Sequence, residues 1–446
     1  MKKLIAVAVL AAFSSLPYAA EKDITTDVVV VGQGAAGTAA AFAAAEQGAK
    51  VIGLEKKGMV GGTGNFSEGI FAVGSKMQRD YYIPLTKDEA FKKIMNYGHW
   101  RSNARLVRAF VDKSADTVEW MQKHGVKFEK LTTNYPGGLY TWHIYQGRGA
   151  GWINALQKKG KDKYGMQVLL NTPAEKLIFG KDGKVAGVGI QMAWSAGGGK
   201  EGLEVQQSYR PGPRAVSTTN HVSATAKQPH LWLTPNGERF CDETIMGDWP
   251  AAGNALERIG GQMWVVYDNK NLDSMKHDGI VQGVGVMVPI GAKLTNFEKE
   301  WPAAEQAGWA VKANTLDELA KKTGMDPAVL KASVEQYNKA AEQRHDALFA
   351  KDPQYIFPVK QGPFYAIKSV ASSLGTLGGI KVNDRLQVVT DKDKAIPNLY
   401  AAGSDVGGMY GDSYDLLMAG STIGFAVNSG RIAAESAVKD HNLGKK

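Results

Sequence analysis

Asp27 to Gly37, DVVVVGQGAAG, is the stretch whose reading decides the fold. Val28 to Val31 is an unbroken β-branched run, as expected of a parallel strand buried on both faces. Gly32, Gly34 and Gly37 follow in G-x-G-x-x-G spacing, and the alanine-rich segment Ala35 to Gln47 predicts a helix. Lys50 to Leu54 predicts a second strand, ending on Glu55, eighteen residues after Gly37. Each part has a job at a dinucleotide. Gly32 permits the tight turn, Gly34 lets the backbone approach a pyrophosphate, and Gly37 lets helix and strand pack closely. The helix N-terminus around Ala36 faces the phosphate charge. Glu55, with Lys56 beside it, sits where a carboxylate accepts hydrogen bonds from a ribose.

Working outward, Gly58 to Gly69 follows the acid-tipped strand. Gly61, Gly62, Thr63, Asn65, Ser67 and Gly69 put backbone amides and small polar side chains where a flat ligand can lie. Val168 to Asn171 predicts a third strand, with Ala174 just beyond it, and Leu177 to Gln191 a hairpin turning at Lys181 to Lys184. The end of the chain returns to the same texture. Leu399 to Gly403 leads to Asp405, and Gly420, Ser421 and Ile423 open a last helix through Val438. A helix N-terminus directly after a glycine stabilises an electron-rich ring edge.

The remainder reads as scaffold. Thr86 to Asn96 and Ala104 to His124 predict amphipathic helices, the second with Leu106, Phe110, Val118 and Met121 near helical spacing. Gly151 to Tyr164 predicts another helix. From Gln207 the composition changes: Ser208 to Arg214 reads as loop, and Asn236 to Arg239 as a turn joining Leu231–Leu233 to Arg239–Cys241. Helices are expected from Asn254, over Thr315 to Lys322, and over Pro327 to Gln343.

The 446 residues suit two or three domains. Met1 to Ala20 has a secretory pattern: Lys2 and Lys3, then apolar Leu4 to Phe13, then small residues. Export to a bacterial periplasm is expected, with an uncleaved anchor as the alternative, and no span elsewhere crosses a membrane. A single cysteine, Cys241, excludes an internal disulfide, and no C-x-x-C-H attaches a haem. The net charge of +9 falls to +7 without the leader, with acids scattered among the bases, which argues against nucleic acid. His221 and His230 have no carboxylate or thiolate at ligand spacing, so no metal is expected.

Four blocks together resemble the flavoprotein family of fumarate reductases, succinate dehydrogenase flavin subunits and 3-ketosteroid dehydrogenases. They are the fingerprint with Glu55, the Gly61 to Gly69 loop, the turn Asn236 to Phe240, and Gly375–Gly379 through Pro397–Gly403 to Arg431. The resemblance implies an α/β fold: a Rossmann-like FAD-binding domain built from residues 21–206 and 375–446, with an α+β capping domain inserted at 207–374. It also implies FAD, a small-molecule substrate, and an external electron donor such as a cytochrome c or another redox carrier. Two departures stand out. Family members continue from the 177–191 hairpin into a strand that touches the flavin nucleotide. Here Gly189 to Ala196 follows at once and resembles a later helix, implying an internal deletion near 188–192. Where fumarate reductases carry a proton-donating arginine, a histidine and a second arginine, this chain has Gly247, Gly375 and Tyr414.

The expected function is therefore hydride transfer between flavin and a carbon–carbon bond, reducing the C=C of an unsaturated organic acid or enone as a respiratory acceptor. The same chemistry run backwards, as in a ketosteroid-type dehydrogenase, and a flavin-binding protein inactivated by the deletion are the alternatives. Tyr414 is the expected proton donor, because a phenol joins an apolar ring to one donor. Tyr209, Arg210 and His221 are its expected companions.

Overall fold

The computed structural model describes residues 24–133, 138–175, 190–204, 206–214, 216–217, 219–284 and 288–444. Val28–Val31 pairs in parallel with Val51–Leu54, which pairs in parallel with Gln167–Leu169. Among the described residues the fingerprint strand is thus at the edge of its sheet. This corrects the expectation of burial on both faces: Val29 is 39% exposed, and Val28, Val30 and Val31 are only half-buried. A β-branched run reports fitness for a pleated surface, whereas the neighbours are supplied by the rest of the chain. Beyond the free edge lies a groove of about 540 Å³, walled by residues 26–31 and 398–402 and floored by Ala36, Ala40, Ala433 and Ala437. No strand among the described residues runs between those walls. The expected 177–191 hairpin falls on residues outside the description, apart from its last two, which begin the helix Ile190–Ser195.

Two helices underlie the sheet, Ala35–Glu46 and Ser421–Asp440. Alanine and glycine let them touch: a Cβ on Gly430 would stand 2.3 Å from Ala36 O. The helix Lys87–Tyr97 starts in a capping box, where Thr86 accepts from the Glu89 amide and Glu89 from Thr86. Ala104–Lys123, capped by Asn103, buries Leu106, Phe110, Val118 and Met121, as their spacing predicts. The helix expected from Gly151 begins earlier, at Arg148.

Residues 206–376 hold an antiparallel five-stranded sheet. Phe364–Thr376 is its longest strand, flanked by Ala310–Ala313 and Gln262–Asp268; the latter pairs onward with Leu231–Leu233. Gln206–Gly212 pairs with the far end of the long strand. The segment 208–214, expected as loop, is therefore mostly strand. Pro211 is tolerated because the strand lies at an edge. Beneath this sheet the buried Arg239 donates to Glu243 and Asp346, and Lys351 pairs with Glu243 at 3.0 Å.

Candidate active site

Gly34 caps the fingerprint helix with φ −70° and ψ −165°, and no side chain bonds the first amides. A Cβ on Gly34 would meet only Gly61 O, at 3.9 Å, whereas one on Gly37 would lie 1.7 Å from Gly32 O. The first glycine leaves space beside free amides; the second is filled by the strand. Glu55 is buried and fixed at both oxygens, Oε2 accepting from the Gln33 amide and Oε1 from the Lys57 amide, each at 2.9 Å. Each oxygen keeps a further lone pair for a ligand hydroxyl. Lys56 points to solvent. Ala174, half-buried, follows residues 171–172, whose amides bond Lys57 and Glu55 carbonyls.

The glycine loop closes over this turn through Gly61 N–H to Gln33 O, at 2.7 Å. Gly61 has φ +99°, and a Cβ there would strike Asn65 Oδ1. Asn65 donates to Val60 O, and Ser67 donates to Gly64 O and contacts the Tyr145 hydroxyl. Both side chains therefore shape the loop from within, while Gly62, Thr63 and Phe66 are exposed. Gly69 packs on His143 O.

From the other end of the chain, Gly403 donates its N–H to Ser429 Oγ and packs against Ala36. Asp405 lies on the wall of the groove. Gly420, at φ +82°, caps the last helix against Phe71, whose amide bonds Gly420 O. This helix also begins without a side-chain cap at Ser421, Thr422 and Ile423. The contrast is informative. Ser75, Thr86, Asn103, Asp248, Asp268, Thr315 and Asp326 each cap a helix with their side chains. The fingerprint helix and the last helix, both capped by glycine, leave their first amides without a side-chain partner, as does Arg148–Tyr164 behind Gly147.

Beside the last helix stands a pair of tyrosines, Tyr410 and Tyr414, with ring centroids 5.1 Å apart and both buried. Tyr410 donates to Ser421 Oγ at 3.2 Å, which commits its proton. Tyr414 accepts from Thr422 Oγ1 at 2.7 Å, and among the described residues no hydrogen bond takes its own proton. Burial pushes both phenols upward in pKa. Trp249 packs on the same apolar cluster, and one residue earlier Asp248 accepts both contacts of the Tyr97 hydroxyl, at 3.0 and 3.2 Å. The segments containing Gly247 and Tyr414, 167 residues apart in the chain, thus meet around Tyr97.

The profile of a family described as FAD binding domain matches residues 27–210 and 160–417. A vinyl phenol reductase of Lactiplantibacillus plantarum is 32% identical over 476 residues, covering 93% of this chain and 96% of its own. An NADH:fumarate oxidoreductase of Klebsiella pneumoniae is 28% identical, and this chain spans about half of its length, 48%. The chain belongs to this FAD-binding family. Two solved structures show the same fold. A flavocytochrome c3 fumarate reductase in its open conformation has TM-score 0.71, 24% identity, and 94% and 79% coverage of this chain and its own. A 3-ketosteroid delta1-dehydrogenase from Sterolibacterium denitrificans has TM-score 0.74, 18% identity, and 93% and 100% coverage.

The flavoprotein's own residues fit FAD. The open space at Gly34, two sets of uncapped helix amides, and the clamped Glu55 carboxylate match a pyrophosphate, a ring edge and a ribose in turn. Of the expected companions of Tyr414, His221 is the one whose side chain is described, and its contacts are with the segment at Asn296. His221 Nδ1 accepts from the Asn296 amide at 3.0 Å, and the His221 amide bonds Glu300. Tyr209 and Arg210 lie on the strand paired with 370–376, their side chains outside the described residues. Reading the sequence missed Tyr97, Asp248, Tyr410 and Asp415. Only the Tyr-Asp-Leu-Leu run at 414–417 hinted at them, since nothing local tells a buried carboxylate from a solvated one. Among the described residues no cluster suits a metal ion, and no helix is long and apolar enough to cross a membrane.

Proposed function

We propose that the chain is a FAD-dependent reductase that saturates the C=C bond of an unsaturated aromatic compound or enone-like acid, with electrons from an external carrier. Bound in the cradle, FAD supplies hydride-transfer chemistry. The chain's own residues must bind the alkene, exclude water and furnish a proton. The observation that carries the reading is Tyr414: a buried phenol that accepts from Thr422 in the first turn of the last helix and has no described acceptor for its own proton. It stands where fumarate reductases resemble this chain but carry an arginine. A phenol serves an apolar ring-bearing substrate, whereas a dicarboxylate needs paired cations, and an unpaired buried charge costs several kcal/mol. The full-length likeness to a vinyl phenol reductase supports the same substrate class.

Export to a periplasm belongs to this proposal, on the strength of Lys2, Lys3 and apolar Leu4 to Phe13. The test is an acceptor screen. Chemically reduced, anaerobic protein is mixed with vinyl phenols, hydroxycinnamates, enones and fumarate, and flavin reoxidation is followed. Rapid reoxidation by an aryl alkene is expected; fumarate turnover matching the best aryl alkene contradicts the reading. Mass and fractionation of the protein from its host test export.

A further inference from the structure

Asp415 is a carboxylate in the wrong place for a carboxylate. It is 3% exposed, and Oδ2 has no hydrogen-bond partner. Oδ1 accepts only from the backbone, at Leu417 N. Asp415 belongs to none of the ion pairs among the described residues. A buried ionised carboxylate with an empty oxygen is costly, and the cheap solution is to keep the proton. Its surroundings push the same way. Desolvation, and then the Asp248 charge, raise Asp415 to about 7, against the lowering effect of the Leu417 and Met418 amides and of Lys93. Asp248 receives the Tyr97 hydroxyl, a side-chain donor that Asp415 lacks among the described residues. The groups facing Asp415 are thus Lys93 and Tyr97 on one helix, Asp248 capping another, and Tyr410 and Tyr414 on its own segment.

We propose that Asp415 is the proton-holding residue behind Tyr414, a positioning residue that keeps the phenol neutral and restores its proton after each turnover. The inference rests on the reading of Tyr414 as donor. Saturating a C=C bond takes one hydride and one proton. The Tyr414 O–H bond breaks as the substrate's C–H bond forms, leaving a phenolate that burial disfavours. The Asp415 carboxylic acid gives up its proton in exchange, and its carboxylate then takes one from solvent. Nothing is oxidised or reduced in that return. An acid stored one residue away lets the phenol act at neutral pH although its own pKa is raised.

Asp415→Asn keeps the shape of the protonated acid without its titration. In the wild type, alkene-driven turnover is expected to fall as pH rises through the region of 7. In Asp415→Asn that alkaline limb is expected to vanish, with turnover lowered on the order of a hundredfold. A limb unchanged in the variant overturns the proposal, since a packing role does not move a pH profile. Asp248→Asn is the second variant, because Asn caps a helix as well as Asp. Losing that charge should move the limb to lower pH, and a limb that stays put overturns the proposal where Asp415→Asn does not fold. A readout independent of turnover is thermal melting. A carboxyl raised in the folded state stabilises it below its unfolded pKa and loses that contribution as pH rises through the folded one. The melting point of the wild type relative to Asp415→Asn should therefore fall from pH 5 to pH 8, and a constant difference refutes proton holding. If the wild type is reoxidised by no alkene, the reaction reading fails and the proton's use with it. The melting gap still reports separately whether Asp415 is protonated.

Discussion

Two glycines of one fingerprint should answer differently to the same methyl group. On Gly34 an added Cβ meets nothing closer than Gly61 O at 3.9 Å, and φ −70° suits any L-residue. Gly34→Ala should cost the fold about 0.5 kcal/mol, the difference between Gly and Ala at a helix cap. Gly34→Val should also fold, yet its side chain fills the space beside the amides of Ala35 and Ala36, where the pyrophosphate belongs. On Gly37 the same Cβ would lie 1.7 Å from Gly32 O and 3.5 Å from Val30. Helix and strand must then part by more than an ångström at their closest contact, an overpacking cost of about 3 kcal/mol or more. The assay is paired: visible flavin absorbance after gel filtration, and thermal melting of the same samples after flavin removal. Gly34→Val is expected to lose flavin and keep the apoprotein melting point; Gly37→Ala is expected to lose both. Flavin retention by Gly34→Val at the wild-type level, or a wild-type melting point for Gly37→Ala, would refute the division of labour.

Three other outcomes follow from the packing. Val29→Lys should change stability by less than about 1 kcal/mol, because Val29 is an exposed edge residue, whereas a doubly buried strand would lose several; chemical denaturation measures it. Glu243→Gln should cost about 3–5 kcal/mol by leaving Arg239 and Lys351 short of a buried partner charge, seen as a lower melting point. His143, held neutral by burial at about 4 and bonded to Ser75 and Thr141 O, binds its proton less readily than in the unfolded chain. Its contribution is present above about 6.5 and lost as pH falls through about 4, up to roughly 3 kcal/mol; His143→Gln should flatten the melting curve over that interval.

The nucleotide cradle was legible because its reasons are local. Gly32, Gly34, Gly37 and Glu55 sit at spacings that a turn, a phosphate and a ribose impose, and the structure holds Glu55 by the amides of Gln33, inside the fingerprint, and Lys57. The edge position of Val28–Val31 was not legible, because a strand's own residues do not say whether a second neighbour arrives. Ser208 to Arg214, with Pro211 and Pro213, reads as loop, and only the long partner Phe364–Thr376 explains why Gln206–Gly212 pairs as a strand. The buried cluster around Tyr414 was least legible. Tyr97, Asp248 and Asp415 come from three separated segments, and burial makes their chemistry. The bond that His221 accepts from the Asn296 amide, 75 residues on, had no local signal either.

The most direct test of the central claim is single-turnover reoxidation of reduced Tyr414→Phe by the best aryl alkene, with flavin content and melting point measured alongside. Thr422 loses one hydrogen-bond acceptor and the ring is kept, so fold and flavin should survive. The account predicts that the rate falls on the order of a hundred- to ten-thousand-fold. A variant that keeps its flavin and reoxidises at more than about a tenth of the wild-type rate contradicts it, because loss of a general acid costs more than that.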